Sequence, residues 1–114
     1  MDCIFCRIAA GEIPAQIVAR HGTAVAFRDL HPQAPTHVLV IPIEHVTSTA
    51  HLVEGDRAPV LGELMRLAVE VAAQLGLADR GYRLVVNTGA DGGQSVDHLH
   101  VHLLGGRPMG WPPG

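Results

Sequence analysis

Lysine is absent from this sequence: all eight of its basic residues are arginine. This excludes Schiff-base catalysis by a lysine amine and the lysine-containing phosphate-binding loop of P-loop enzymes. The arginines are scattered along the chain and the formal net charge is −3, so the clustered basic surface of a nucleic-acid-binding protein is missing. We therefore expect no nucleic-acid partner.

Long apolar runs are missing as well. No stretch approaches the ~18 residues that would indicate a membrane span. The N-terminus also lacks the basic segment followed by an apolar one that marks a secretory signal. We therefore expect a cytoplasmic protein with no membrane partner. In that compartment the only two cysteines, Cys3 and Cys6, favour metal or thiol chemistry over a structural disulfide.

Aromatic residues are scarce, at 4% of the 114 residues, although hydrophobic residues make up 47%. The core must therefore be aliphatic and rich in alanine. A chain of this length has room for one domain, residues 1–114. A thin core of this kind often gains stability from an oligomeric interface.

The periodicity of the apolar residues predicts two helices and five strands. A short helix over about 3–10 would be capped by Asp2, and a longer one over about 57–75 carries apolar residues three and four apart. Alternating runs predict strands at about 15–20, 24–28, 37–41, 82–87 and 98–104. The predicted fold is α+β, with an antiparallel sheet of about five strands.

The last predicted strand carries His98, His100 and His102, which alternate with leucine and valine. Side chains alternate between the faces of a strand, so the three imidazoles share one face, with neighbouring Cα atoms about 6.6 Å apart. An incidental polar face is disfavoured, because crowded imidazoles create electrostatic and solvation problems. Two functions remain open: the histidines chelate zinc, or one neutral imidazole is a nucleophile.

The glycine-rich segment before this strand favours the nucleophile. Residues 92–95, Gly-Gly-Gln-Ser, can aim backbone N–H groups and a hydroxyl at the oxygens of a phosphate. Residues 98–104 resemble the histidine-triad signature. Residues 29–37, 85–87, 91–96 and 111–114 are similar to the HINT branch of the histidine-triad (HIT) superfamily, the histidine-triad nucleotide-binding proteins. The resemblance spans nearly the whole chain and implies the HIT fold.

This resemblance implies a role for each histidine of the candidate site. His100 would be the nucleophile that becomes nucleotidylated. His102 would hold a phosphate oxygen and assist proton transfer to the leaving group, and His37 would be an auxiliary histidine from a neighbouring strand. The resemblance implies phosphate contacts for Ser95, which would also be catalytic, and for Asn87 and Gly93. It implies ribose contacts for Asp29, whose carboxylate can accept hydrogen bonds from two hydroxyls.

The resemblance also implies an apolar slot for the base, although its members could equally belong to an ordinary core: Ile4, Phe5, Ile8, Phe27 and Leu39. One departure is Asp97, where relatives usually carry tyrosine or phenylalanine. A carboxylate there could alter the pKa values of the histidines if it turned inward. Strand alternation points it away from them, so we expect little effect.

The Cys3-x-x-Cys6 spacing can grip one metal ion, although by itself it could also be a pair of ordinary thiols. The resemblance implies that His45 and His98 complete a structural zinc site with these cysteines. His98 would then be a metal ligand, which leaves His100 and His102 for the substrate. No cofactor would be required for catalysis.

The resemblance implies a purine nucleoside phosphoramidase that releases a nucleoside monophosphate. Two alternatives stay open: hydrolysis of dinucleoside polyphosphates, and a nucleotide-binding or scaffolding module with incidental turnover. The absence of a basic cluster favours an amine leaving group over further phosphates. The resemblance also implies a homodimer with one continuous sheet. Trp111 would reach the partner's active site, or its tail would pack on its own subunit.

Overall fold

A computed structural model describes residues 3–114, which form a five-stranded antiparallel sheet with a helix on each face. The strands are β1 (Ile17–His21), β2 (Ala24–Arg28), β3 (Thr36–Pro42), β4 (Tyr82–Val85) and β5 (Val101–Gly105), in the spatial order β1-β2-β3-β5-β4. The helices are α1 (Ile4–Ala9) and α2 (Ala58–Gln74), and two 3₁₀ turns cover Thr49–His51 and Glu54–Asp56. The predicted fold class is confirmed.

Helix α2 covers one face of the sheet through the predicted apolar stripe. Its buried residues pack against the inward side chains of β5 and of the segment before it. Pro59 lies in the first turn, where its missing N–H costs nothing. Gly76, with φ of 77°, follows the helix and permits the reversal that ends it. These features explain why the prediction from sequence came within about one residue of the observed bounds.

Helix α1 covers only part of the other face. Its Phe5 and Ile8 pack on Phe27, Leu39 and other apolar residues of β2 and β3. The predicted cap, Asp2, lies outside the described residues. Cys3 is the N-cap residue, and its Sγ accepts a hydrogen bond of 3.4 Å from the backbone N–H of Cys6. Because α1 is short, the rest of this face stays open beside the helix.

Strand β5 begins at Val101 rather than at the predicted residue 98. The pairing of Val40 with Val101 would place Pro42 opposite Leu99 if the ladder continued. Pro42 has no N–H to donate, so the ladder stops there. The amide of Leu99 donates instead to the carbonyl oxygen of Val46 at 2.7 Å. Residues 98–100 are therefore buried without being part of the sheet.

No helix within residues 3–114 combines the length and the apolar character that crossing a membrane requires.

Candidate active site

The three histidines lie on the face of the sheet that carries α1. Leu99, Val101 and Leu103 point the other way, into the core under α2. The rings of His98 and His100 pack edge-on against Phe5, with centroids 5.9 and 5.2 Å away, and the rings of His100 and His102 are 4.9 Å apart. The alternation expected from the sequence continues through the unpaired segment before β5.

A cleft of about 350 Å³ lies between α1, the end of β2 and the histidines. It is lined by Asp29, Ser95, His100 and His102, and by all five residues expected to form the base slot. Ile4 is half exposed, whereas the other four apolar residues are at most 8% exposed and also pack together as core. Four of the five residues therefore meet both expectations, because they line the cleft and also pack in the core.

His100 has its proton placed by a backbone contact. Its Nδ1 lies 2.7 Å from the carbonyl oxygen of His98, and because a carbonyl can only accept, Nδ1 carries the hydrogen. The neutral ring then has its lone pair on Nε2. The side chain is 3% exposed and held by Phe5, so few orientations remain open to it. This is the protonation state that a nucleophilic imidazole needs.

A chain of hydrogen bonds also determines the protonation of His102. The backbone N–H of Gln33 donates to Nδ1 of His37 at 3.0 Å, so His37 carries its proton on Nε2. That nitrogen is 2.9 Å from Nδ1 of His102 and 3.4 Å from a carboxylate oxygen of Asp29. His37 therefore donates to Nδ1 of His102, and neutral His102 carries its proton on Nε2.

Burial favours the neutral forms of His102 and His37. It lowers the pKa of His102 to about 4, with the neighbouring His100 and His37 acting in the same direction and the Asp29 carboxylate opposing them. Burial also lowers the pKa of His37, against the pull of Asp29. Asp29, His37 and His102 lie close enough to hold a cation. Because the two ring nitrogens that meet share one proton, we interpret the group as a hydrogen-bond chain instead.

The glycine-rich loop is braced from within. The N–H groups of Gly93 and Gln94, expected to face a phosphate, donate instead to carbonyls of the same loop at 3.0 and 3.1 Å. The Gln94 side chain accepts from Gly89 N–H and donates to the carbonyls of Thr47 and Val96. Within residues 3–114, Ser95 makes no hydrogen bond, so its hydroxyl is available at the cleft.

Several predicted site residues lie away from this cleft. Asn87 and Gly93 contact each other, with Nδ2 of Asn87 3.5 Å from the Gly93 carbonyl, but neither lines the cleft. Trp111 is 83% exposed, while its neighbour Gly110 accepts a hydrogen bond from Arg83 of the same subunit. Asp97 is exposed and lies in a bend before β5, so the strand alternation expected to turn it away from the histidines does not apply to it.

The two cysteines and two histidines expected to bind zinc converge at the start of α1. Nδ1 of His98 is 3.4 Å from Sγ of Cys3 and 3.5 Å from Sγ of Cys6, which in turn is 3.3 Å from Nδ1 of His45. All four donor atoms lie within 4.8 Å of one another. Sulfur and nitrogen ligands of a tetrahedral zinc ion are about 3.5 Å apart, given bonds of about 2.3 and 2.0 Å, so the donors fit such an ion.

The surroundings of the cluster support the same conclusion. Nε2 of His98 donates to the carbonyl of Pro42 at 2.8 Å, which leaves Nδ1 unprotonated and directed at the cysteines. Burial, reinforced by the Cys3 thiol, raises the pKa of Cys6, which favours the protonated thiol in the absence of a cation. A metal ion would replace that proton.

Comparison with known proteins agrees with this geometry. The family model for the HIT domain matches residues 10–109, which is most of the chain. The chain belongs to the HIT family. It is 46% identical to the purine nucleoside phosphoramidase of Escherichia coli K12 over 109 residues, or 96% of this chain and 91% of that protein. It is 50% identical to an uncharacterised HIT-like protein of Synechocystis over 113 residues, or 99% and 97% of the two chains.

A solved structure gives the same result. The HIT family hydrolase of Legionella pneumophila Philadelphia 1 superposes with a TM-score of 0.93 at 49% identity, covering 99% of this chain and 100% of that one. The present chain is therefore a HIT-family hydrolase.

The roles of two glutamines of this HIT domain were not predicted from the sequence. Gln33 acts through its backbone N–H on His37, and Gln94 holds the loop before the triad through both ends of its amide. A backbone donor leaves no mark in a sequence, because every residue except proline has one. Gln94 belongs to a recognised motif, but only the folded loop shows that its side chain braces the backbone rather than facing the cleft.

Proposed function

We propose that this chain hydrolyses purine nucleoside phosphoramidates and releases the nucleoside monophosphate. The observation that carries the proposal is the pair of complementary rings at the cleft: His100 has its lone pair on Nε2, and His102 has its proton there. A nucleophile and a proton donor thus stand side by side, with ring centroids 4.9 Å apart. The similarity to a purine nucleoside phosphoramidase supports the choice of substrate.

The reaction proceeds in two displacements. Nε2 of His100 forms a bond to the α-phosphorus while the P–N bond breaks, and the departing nitrogen keeps that electron pair and takes a proton from Nε2 of His102. A water molecule then attacks the same phosphorus, and the electron pair of the His100–phosphorus bond returns to Nε2. The proton that the water loses restores His102. The products are the amine and the nucleoside monophosphate.

The remaining residues position the substrate in this scheme. The apolar wall of the cleft, which includes the aromatic rings of Phe5 and Phe27, would pack against the base. Asp29 would accept hydrogen bonds from the ribose hydroxyls, and the Ser95 hydroxyl would donate to the phosphate or to the leaving nitrogen.

The decisive experiment is turnover of adenosine 5′-phosphoramidate by the native chain and by His100→Ala. We expect the variant to bind AMP and to lose at least about a thousandfold of kcat, because the covalent route is closed. A quench in alkaline denaturant, which preserves the acid-labile bond between Nε2 of histidine and phosphorus, should trap adenylate on the native chain only. His21→Ala, which removes an exposed histidine on β1, is the matched control. A His100→Ala variant that keeps a tenth of kcat would contradict the proposal.

We also propose that Cys3, Cys6, His45 and His98 hold a structural zinc ion. With four protein ligands the site is closed, so the ion would fix α1 to the sheet and supply no reacting group. Purification without chelator should give about one zinc per chain by elemental analysis. Cys6→Ala should lose that zinc and lower Tm, whereas His51→Ala should keep both. Full-length native protein without zinc would count against the site.

We also propose that the protein is a homodimer. A homodimer would join two sheets into one and bring Trp111 toward the partner's cleft, which suits its exposed position. Light scattering at micromolar concentration should give twice the chain mass; a monomer mass would exclude the dimer.

We propose a cytoplasmic location, in keeping with the reduced cysteines that a zinc site requires.

A further inference from the structure

The two cysteines lie side by side at the start of α1. Their Sγ atoms are within 4.8 Å of each other, and Sγ of Cys3 accepts a hydrogen bond of 3.4 Å from the backbone N–H of Cys6. Both residues are partly exposed, and neither is in a disulfide. The chain contains no other cysteine, so the one disulfide that a single chain can form joins these two. Their C-x-x-C spacing also occurs in redox motifs, where such a disulfide forms and breaks reversibly.

His98 connects the two cysteines to the nucleophile. Its Nδ1 lies 3.4 Å from Sγ of Cys3 and 3.5 Å from Sγ of Cys6. Its carbonyl oxygen accepts the hydrogen bond of 2.7 Å from Nδ1 of His100. His98 is fully buried in a close-packed interior, so its ring cannot shift without moving the groups around it. A change at the cysteines therefore reaches the contact that places the proton of His100.

Helix α1 is a second connection between the cysteines and the cleft. Ile4 and Phe5 lie between Cys3 and Cys6 in the sequence, and both line the cleft. The ring of Phe5 also packs edge-on against His100, with centroids 5.2 Å apart. A helix of six residues is too short to be stable by itself, so α1 depends on its contacts with the rest of the chain. Loss of the contacts at the cysteines should therefore loosen this wall of the cleft.

We propose that Cys3 and Cys6 are a site of reversible oxidation, whose disulfide form releases the zinc ion and weakens nucleotide binding at the cleft. The proposal rests on the proposed zinc site and on the proposed binding of nucleotide. Cysteine holds zinc as a thiolate, and a disulfide has no thiolate left. Only His45 and His98 would remain as ligands, which is half of a tetrahedral site. Disulfides in the cytoplasm are usually transient and serve catalysis or redox sensing.

A peroxide is the oxidant in this scheme. Sγ of one cysteine thiolate attacks a peroxide oxygen, the O–O bond breaks, and a sulfenic acid and a hydroxide ion are formed. Sγ of the other cysteine attacks the sulfenic sulfur, the S–S bond forms, and the S–O bond breaks to release a second hydroxide ion. Both hydroxide ions take a proton from solvent and become water. The two sulfurs together lose the two electrons that the peroxide gains, and a dithiol reverses the change by thiol–disulfide exchange.

The test measures disulfide, zinc and nucleotide binding on the full-length native chain, before and after hydrogen peroxide. After oxidation, the tryptic peptide 1–7 should contain both cysteines joined to each other and closed to iodoacetamide. A colorimetric chelator should detect the release of about one zinc ion per chain. Calorimetry should show the Kd for AMP rising by about tenfold, the usual effect of losing a partner that orients a site. Dithiothreitol with added zinc should restore zinc content and Kd.

Cys6→Ala is the matched control, because it retains one thiol and cannot form the disulfide within a chain. Its Kd for AMP should be the same after peroxide as after dithiothreitol. The recovery step excludes oxidised methionine as the cause, since dithiothreitol does not reduce methionine sulfoxide at a useful rate. If Cys6→Ala does not fold, the native chain alone still decides. Zinc that stays bound after the disulfide has formed, or a Kd that oxidation leaves unchanged, would overturn the proposal.

These measurements separate the redox site from the proposed hydrolysis, because none of them requires turnover. Reversible loss of zinc and of AMP affinity supports the redox site even if the chain does not hydrolyse adenosine 5′-phosphoramidate. Hydrolysis with the same Kd for AMP in the reduced and oxidised chain refutes the redox site and leaves the proposed function in place. A reduced chain that holds no zinc, or that binds no AMP, refutes the redox site together with the proposal on which it rests.

Discussion

At the scale of single residues, the cleft and the metal cluster depend on where four histidines carry their protons: His37, His98, His100 and His102. Backbone groups that only accept or only donate determine this: the carbonyls of Pro42 and His98 fix the rings of His98 and His100, and the amide of Gln33 fixes His37. Sequence alternation predicted that the rings of His98, His100 and His102 share a face. It could not predict their tautomers, because these depend on backbone groups brought near by the fold.

The Gln33 amide can be removed by Gln33→Pro. Without that donor, Nδ1 of His37 is free to take the proton, and Nε2 then ceases to donate to His102. We expect ¹⁵N chemical shifts to report a changed tautomer for both rings, and kcat to fall roughly tenfold to a hundredfold, the usual effect of losing an orienting partner. Gln33→Ala keeps the amide and should preserve both. Unchanged ring shifts in Gln33→Pro would contradict this assignment.

At the scale of elements, regular periodicity was predictable and irregular backbone was not. The stripe of α2 and the alternation around His100 fixed the fold class, because packing on both sheet faces enforces those periods. The start of β5 was predicted wrongly, because its ladder ends at a proline on another strand. The loop at 88–95 was recognised by its glycines. Its backbone N–H groups at Gly93 and Gln94 donate within the loop instead of facing the cleft, and the Gln94 side chain holds the loop in place.

Gly92 is the glycine of this loop where a side chain would collide with the backbone. A Cβ there would collide with the carbonyl oxygen of Thr88. Gly92→Ala should therefore shift the loop and with it Ser95, lowering stability by about 1–3 kcal/mol, as overpacking usually does, and reducing kcat/KM. Urea unfolding and steady-state kinetics measure the two effects.

Gly62→Ala is the matched control, since Gly62 lies in α2 with open space around it. It should stabilise the chain by up to about 1 kcal/mol, the difference in helix propensity. Equal stability of the two variants would show that the loop yields without cost.

At the scale of the whole molecule, the two helices cover the sheet unequally. The long α2 seals one face, and the short α1 leaves the other open for the cleft and carries the two cysteines of the metal cluster beside it. This arrangement places His98 in contact with both cysteines and with His100. Which backbone group meets which side chain depends on packing of the entire chain. Sequence spacing therefore revealed the triad and the cysteine pair, whose members each share one segment, but not the contacts through which His98 connects them.

The burial of His102 and His37 makes the free energy of unfolding depend on pH. Histidine in an unfolded chain takes up its proton near pH 6.5, whereas in the folded chain the pKa of His102 is lowered to about 4 and that of His37 is also lowered. Between these values the unfolded state binds more protons, so the free energy of unfolding should fall as the pH drops from about 6.5 toward 4. Above pH 7 these two groups should contribute no slope.

Urea unfolding between pH 7.5 and 4.5 measures this dependence. Acid also protonates the proposed zinc ligands. The free energies of unfolding are therefore compared between variants that keep all four of these ligands, Cys3, Cys6, His45 and His98. His102→Gln cannot titrate at this position and should lose stability less steeply than the native chain as the pH falls. His21→Gln, which changes an exposed histidine, should follow the native curve. If His102→Gln and the native chain lost stability in parallel from pH 6.5 to 4.5, His102 would not be held neutral by the fold.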